Sequence, residues 1–465
     1  MPSSSLCPRV RIGFGSARLL SVIVAVLAAV LTSLACNSLD VGDLNNPGLG
    51  DVEDRPTRDN VARLAVGLLI DAGSDFAQSR GYVSLLGVVG RESYNFDQSE
   101  PRLVTELLIG PLTGSNVGSF LWPLPYFTIR EGNIILDVIQ RVPGMSPGEM
   151  EATIGYTQTM QALAFLRIIN TTDVFGAPID VGIDPRGDPA PIATKAAVFA
   201  RITNLLDSAQ THLQAGGSAF SFRLSNGFQG FDRPGTFLRF NRALRARVAV
   251  YQGDYAGALA ALQASFLDPD APLELGVYFS GNGLDDPTGR ILLAHPSIES
   301  DAQPRADGTP DLRLQRKVRH VDPVTVQGIT SDLAFTMYQT GLEPAPLIRN
   351  EELILLRAEA EIGLGDLTGA VTDLDRIRTR SGGLAPYNGP VTPEALLDEL
   401  LYNKRYSLLF EGGHRWIDLR RYGRLGTLPL DRPEHRRFDK FPFPQFDCYA
   451  YSPPPAQGCA PEEGF

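Results

Sequence analysis

One short phrase occurs twice in this chain, and it limits the possible folds more than any other feature. Gly253-Asp254-Tyr255-Ala256-Gly257-Ala258, with Leu262 four residues on, is matched by Gly365-Asp366-Leu367-Thr368-Gly369-Ala370 with Leu374. Each copy follows a stretch rich in Arg and Ala. Before the second copy, Leu353, Leu356, Ala360 and Leu364 recur at spacings of three and four, which lays an apolar stripe along a helix. After it, Leu367, Ala370, Val371, Leu374 and Ile377 start a second stripe at once. Glycine permits the sharp turn, Asp can cap the next helix, and Gly-Ala lets two backbones come close. Both copies therefore read as a pair of helices folded back on each other.

Such pairs have the chemistry of tetratricopeptide-type hairpins, which in tandem arrays repeat about every 34 residues. Here the copies stand about a hundred residues apart, so the expectation is a mainly α fold of tetratricopeptide-like hairpins with long irregular insertions. Further helical stripes run over Asn60–Phe76, Gly81–Gly90, Tyr126–Arg141, Met150–Asn170 and from Thr194 to Leu213. Phe240–Tyr251 and Tyr255–Ala264 make the first hairpin, and a long helix is expected over Pro393–Phe410. Arg91–Ser119 reads as loop. From about 267 to 347 helical periodicity fails and Gly, Pro and Asp are frequent, with β-like runs at Glu274–Phe279 and Val324–Ile329. A long non-helical insertion in a compact protein is usually functional.

The amino terminus bears on location. Arg9, Arg11 and Arg18 precede an uncharged run from Leu19 to Leu31, and Thr32-Ser33-Leu34-Ala35-Cys36 follows. That is the layout of a secretory signal, and a cysteine directly after Ala35 makes it look like a bacterial lipoprotein signal, cleaved before Cys36 and lipidated there. The competing reading is a retained membrane helix, but the uncharged run falls just short of a comfortable span. Residues 1–35 are thus read as signal, 36–58 as an acidic tether, 59–447 as the helical domain and 448–465 as a Pro-rich tail. Cys448 and Cys459 flank Pro453-Pro454-Pro455, and in an exported protein that pair is expected to form a disulfide.

With a net charge of −11 and a pI near 5.1, the chain would repel nucleic-acid phosphates. His212, His295, His320, His414 and His435 are scattered, so neither metal nor cofactor is expected. Asp268, Asp270, Asp285 and Asp286 fit no calcium-loop spacing and read as turn residues. No Gly-x-Ser-x-Gly, His-Glu-x-x-His or P-loop pattern occurs, which speaks against an enzyme, including an exported glycan hydrolase with its paired carboxylates.

From Asn403-Lys404-Arg405 through Phe410-Glu411-Gly412-Gly413-His414-Arg415-Trp416-Ile417-Asp418-Leu419-Arg420-Arg421, the chain resembles the SusD/RagB family of outer-membrane lipoproteins. The likeness extends to Cys36-Asn37-Ser38-Leu39-Asp40-Val41, to Trp122 with Tyr126 and Asn133, and to Phe175-Gly176-Ala177-Pro178. It takes in Arg245-Ala246-Arg247, Arg349-Asn350-Glu351-Glu352-Leu353 and Phe441-Pro442-Phe443-Pro444-Gln445, all in the family's order. Asn403 and Ser407 depart from it, standing where acidic residues are common, and Gly413 looks like an additional residue. The resemblance implies a lipid-anchored protein at the cell surface, seated on a SusC-like TonB-dependent outer-membrane transporter. It would capture oligosaccharides or peptides there and pass them to the pore. The rival reading is a protein-interaction adaptor working through tetratricopeptide-like grooves.

Candidate ligand contacts are Arg91, Glu92, Tyr94 and Phe96, a charged and aromatic run on an expected loop, and Tyr278 and Phe279 in the insertion. Trp122 could stack on a sugar ring, or could equally be a core tryptophan at a helix entrance. Arg415, Asp418 and Arg421, at i, i+3 and i+6, read as an ion-pair ladder, and Glu411 as a helix-end packing residue.

Overall fold

The computed structural model describes residues 56–184 and 187–465. The signal, Cys36 and all but the end of the tether lie outside the described residues. Helix α1 (Arg58–Ser74) starts where the Thr57 hydroxyl accepts from the Asn60 amide at 3.1 Å. Helix α2 (Tyr82–Val89) is buried along its whole length. After the short strand β1 (Ser93–Asn95) come α3 (Pro123–Val138) and α4 (Pro147–Thr172). Helix α4 opens on a capping box in which Ser146 and Glu149 satisfy each other's amides. The small ladder of β2 (Ala177–Pro178) and β3 (Ile192–Ala193) leads to α5 (Lys195–Ala215), capped by Thr194. The expected helices all form, with ends displaced by a few residues.

The first repeated phrase joins α6 (Pro234–Gln252) to α7 (Tyr255–Gln263). Within the insertion lie β4 (Gly276–Phe279), β5 (Leu292–Ala294), β6 (Val318–Val326), β7 (Ile329–Phe335) and β8 (Ala345–Arg349). The second phrase joins α8 (Asn350–Leu364) to α9 (Leu367–Arg380). Then come α10 (Pro393–Ser407), α11 (His414–Arg421) and α12 (Gln445–Ala450). The two phrases fold alike. Gly253 and Gly365 take φ of +73° and +84°, and the next Asp accepts from the amide three residues on, at 2.9 and 3.0 Å.

The glycine at that third position has a different task from the expected backbone approach. A Cβ on Gly257 or Gly369 would stand 2.0 or 2.6 Å from the capping carboxylate of Asp254 or Asp366, so glycine leaves room for the cap. α3 packs on α1, and from α4 to α9 each helix packs on the one before it, so the two hairpins, far apart in sequence, meet in space where α7 packs on α8. Ile354, Leu355, Leu374, Ile377, Leu396 and Leu400 knit α8, α9 and α10 into one core.

The insertion contributes most of the β structure. Strands β1-β5-β7-β6 form one antiparallel sheet, and β4 pairs with β8 in another. Two expectations are corrected here. The segment read as loop after Arg91 contains β1, an edge of the four-stranded sheet. The β-like run Val324–Ile329 holds the end of β6 and the start of β7, but it is not one strand: Gln327 and Gly328 between them take φ of +49° and +75°, the two-residue turn that suits strand twist.

Candidate functional site

The run Arg91, Glu92, Tyr94 and Phe96 is in the core, which corrects the expectation of an exposed binding loop. Arg91 folds its guanidinium back onto the Val88 carbonyl (3.1 Å) and across to that of Arg436 (2.7 Å). Tyr94 stacks on Phe96 at 5.3 Å and touches the His295 ring at 5.0 Å. With no surface left, these side chains offer nothing to a ligand. Trp122 takes the core alternative, its ring 4.7 Å from Tyr126 and 5.2 Å from Phe443.

Tyr278 and Phe279 are placed otherwise. They are adjacent on β4, so the strand's alternation sends them to opposite faces. Phe279 turns toward α1, its ring 5.2 Å from Phe76 and close enough to Gly73 that a Cβ there would come within 2.8 Å. It floors a cavity of about 520 Å³ walled by Leu69, Ile70, Arg223, Ser225 and Asn282. Tyr278 faces a second cavity of about 580 Å³ with Asn226, Gln229, Leu342 and Pro344. Both cavities share Ser280, Gly281 and Gly341, so they form one groove bending round the end of β4.

Backbone proximity fixes the groove's shape. Gly227 packs so tightly on β4 that a Cβ would meet the Tyr278 carbonyl at 2.0 Å, and its amide donates to the Ser280 hydroxyl at 3.1 Å. Asn282 ties the two loops together, donating to the carbonyls of Thr340 (3.0 Å) and Glu343 (2.9 Å). The Tyr278 hydroxyl donates to the Glu274 carbonyl, and burial pushes its phenol up to about 12, so it stays a neutral donor.

The chemistry of the lining is plain. Among the described residues that line the two cavities, Arg223, in the first, is the only ionised side chain; the rest are apolar groups, hydroxyls and amides. Leu342 is 89% exposed and Ile70 is 62% exposed, so two apolar side chains stand at the rim. Amides and hydroxyls both donate and accept, which suits a neutral, hydroxyl-rich guest lying across an apolar floor. Reasoning from sequence missed Arg223, Asn226, Gln229, Asn282, Ile70 and Leu342. Its only signal for the 221–231 loop was a cluster of Gly, Ser and Asn.

Behind Tyr278 lies a third cavity, about 370 Å³, of opposite character. Arg349 bonds Glu411 at 2.7 and 2.8 Å and Glu351 at 3.0 Å, while Lys317 reaches Glu411 at 2.8 Å. Asn403 and Ser407 belong to this network as neutral relays. Arg313 donates to both, at 3.0 and 2.9 Å, and the Ser407 hydroxyl donates to Glu351 at 2.6 Å. Glu411 therefore sits in an ion cluster rather than in simple helix-end packing. The expected ladder on α11 is half present. Asp418 pairs with Arg421 at 2.8 Å, but Arg415 turns to the Arg91 carbonyl at 2.9 Å. Cys448 and Cys459 are joined by a disulfide. Among the described residues no cluster could hold a metal ion, and no helix is long and apolar enough to cross a membrane.

Comparison with known proteins adds the following. Residues 299–453 match the family described as the SusD family. No curated protein matches the chain. Among solved structures, a SusD superfamily protein from Bacteroides vulgatus superposes with a TM-score of 0.63 at 16% identity, over 88% of this chain and 99% of that one. A SusD-like carbohydrate binding protein from Bacteroides fragilis gives 0.66 at 14%, over 84% and 98%. A laminarin binding SusD-like protein gives 0.62 at 16%, over 84% and 97%. At such identities the likeness is one of fold. The matched segment supplies one wall of the groove, with Gly341, Leu342 and Pro344, while β4 and the 221–231 loop lie outside it.

Proposed function

For a chain whose residues 299–453 are SusD-family sequence and whose fold is that of the SusD-like proteins, we propose a role in binding neutral oligosaccharides in the groove around β4. The observation that carries the reading is the groove's lining, nearly free of charge, rich in amides and hydroxyls and apolar at floor and rim. A sugar offers C–H faces to apolar groups and hydroxyls to amides, so affinity arises without any titrating group. The two named carbohydrate binders among the similar structures support this class of ligand. The protein acts by binding alone. Lipidation at Cys36 would hold it at the outer membrane, and a SusC-like TonB-dependent transporter would take up what it captures.

Titration of the purified protein with laminarin oligosaccharides, other neutral glycans and short peptides tests the binding step. Leu342→Ala and Asn226→Ala alter exposed side chains and should leave the fold intact, each weakening glycan affinity by up to about tenfold. Equal affinity in both variants, or binding of peptides alone, would sink the proposal. Delivery is tested separately: purification from outer membranes should bring a β-barrel partner at equal stoichiometry, and mass spectrometry should find an acylated Cys36.

A further inference from the structure

A further pocket, separate from the groove, lies between α10 and α11. It holds about 230 Å³ and is lined by Lys404, Arg405, Arg415 and Arg424 against Asp301 and Asp418. Both carboxylates are already engaged. Asp301 takes Arg405 at 2.7 Å, and Asp418 takes Lys404 at 2.9 Å and Arg421 at 2.8 Å. Arg415 donates to a neutral group, the Arg91 carbonyl at 2.9 Å, with Glu92 and Asp301 as the opposite charges that act on it. Arg405 also donates from its other terminal nitrogen to the Ser297 hydroxyl at 2.8 Å, which leaves its Nε, on a side chain only 11% exposed, without a hydrogen-bond partner. Arg424 pairs outward with the exposed Asp398.

A buried guanidinium without a counter-charge is costly. Burial, and then the neighbouring Arg405, push Arg415 down to about 9. Glu92 and Asp301 relieve it only in part. Burial pushes the Glu92 acid form up to about 7, so near neutral pH this carboxylate is a weak counter-ion. The pocket thus sets four cations against two carboxylates in its lining and has room for a guest.

We propose that this pocket binds a small oxyanion (a sulfate, phosphate or carboxylate group), held by Arg405 and Arg415 with Arg424 as the outer ligand. The planar fork of Arg415, bonded in the protein through one terminal nitrogen, matches two oxygens of such a group, and charge-assisted hydrogen bonds are the strong ones. The anion joins α10 to α11 and leaves the groove untouched, since no residue lines both.

The test is calorimetric titration of the full chain with sodium sulfate, sodium phosphate and sodium glucuronate, at ionic strength held constant with sodium chloride, with glucose as the neutral comparator. Saturable binding of at least one anion at millimolar concentration is expected, weakened about tenfold or more in Arg424→Gln and Arg405→Gln. Preference for glucuronate would identify an acidic sugar as the source of the group, and preference for sulfate or phosphate a free inorganic ion. Arg424 is the more exposed arginine, so Arg424→Gln decides the matter even where Arg405→Gln fails to fold. No saturable anion binding, equal binding of glucose, or unchanged affinity in Arg424→Gln overturns the proposal.

Discussion

Arg349 shows how much one side chain can hold. Its guanidinium makes bonds to both oxygens of Glu411, to Glu351 and to the Ser407 carbonyl, all away from water. Such a cluster is stable because every charge has a partner, and removing one partner strands the rest. Arg349→Met should therefore lower unfolding free energy by about 3–5 kcal/mol in urea titration. Pairing it with Glu411→Leu should recover part of that loss, because fewer carboxylates are left uncompensated. The run from Arg91 to Phe96 illustrates why sequence misjudged individual residues. Charge beside aromatics suggests a surface, yet two of the acceptors for Arg91, the carbonyls of Pro429 and Arg436, lie 338 and 345 residues away in the chain. Nothing local to the motif announces them.

Elements were far more legible than residues, and the repeated phrase explains why. Its turn chemistry is local: a left-handed glycine closes one helix and an Asp cap opens the next, so six residues determine the geometry without outside help. The strands of the insertion are the opposite case, since their partners come from distant segments: β1 pairs with β5 some two hundred residues on. A helical stripe is visible in the sequence, whereas a groove made by β4, the 221–231 loop and the 338–344 loop is not. The phrase also makes separable predictions. Nothing lies within 4 Å of a Cβ added to Gly365, so Gly365→Ala should cost only the left-handed strain, about 1–2 kcal/mol by thermal unfolding. Gly365→Asn should cost less, as Asn tolerates that conformation. At Gly369 the backbone is helical, so any penalty for Gly369→Ala must come from displacing the Asp366 cap, about 1 kcal/mol.

At the scale of the whole molecule, the last thirty residues act as a strap across the segment from Leu108 to Phe175. The Arg436 amide donates to the Leu108 carbonyl (2.7 Å), Phe441 to Thr171 (2.8 Å) and Gln445 to Gly114 (2.9 Å), and Leu112 and Glu462 exchange bonds at 2.9 Å. Phe443 packs between Trp122 and Phe175. The amide of Phe443 also donates to the Gly458 carbonyl at 2.7 Å, inside the loop that the Cys448–Cys459 disulfide closes. The proline-rich end is thus bonded into the fold, and the disulfide limits how far it can unravel. Closing a loop of this length restricts the unfolded chain by about 2–4 kcal/mol. The double variant Cys448→Ser/Cys459→Ser should accordingly unfold at lower urea concentration. Hydrogen exchange should rise at Leu112, Phe441 and Phe443, whose amides the strap protects. The strap's bonds reach no residue that lines the groove, so glycan affinity below the unfolding transition should not change. A fall in affinity that tracks the loss of the disulfide would mean that strap and groove are mechanically linked, and that the helical frame is less rigid than its packing implies.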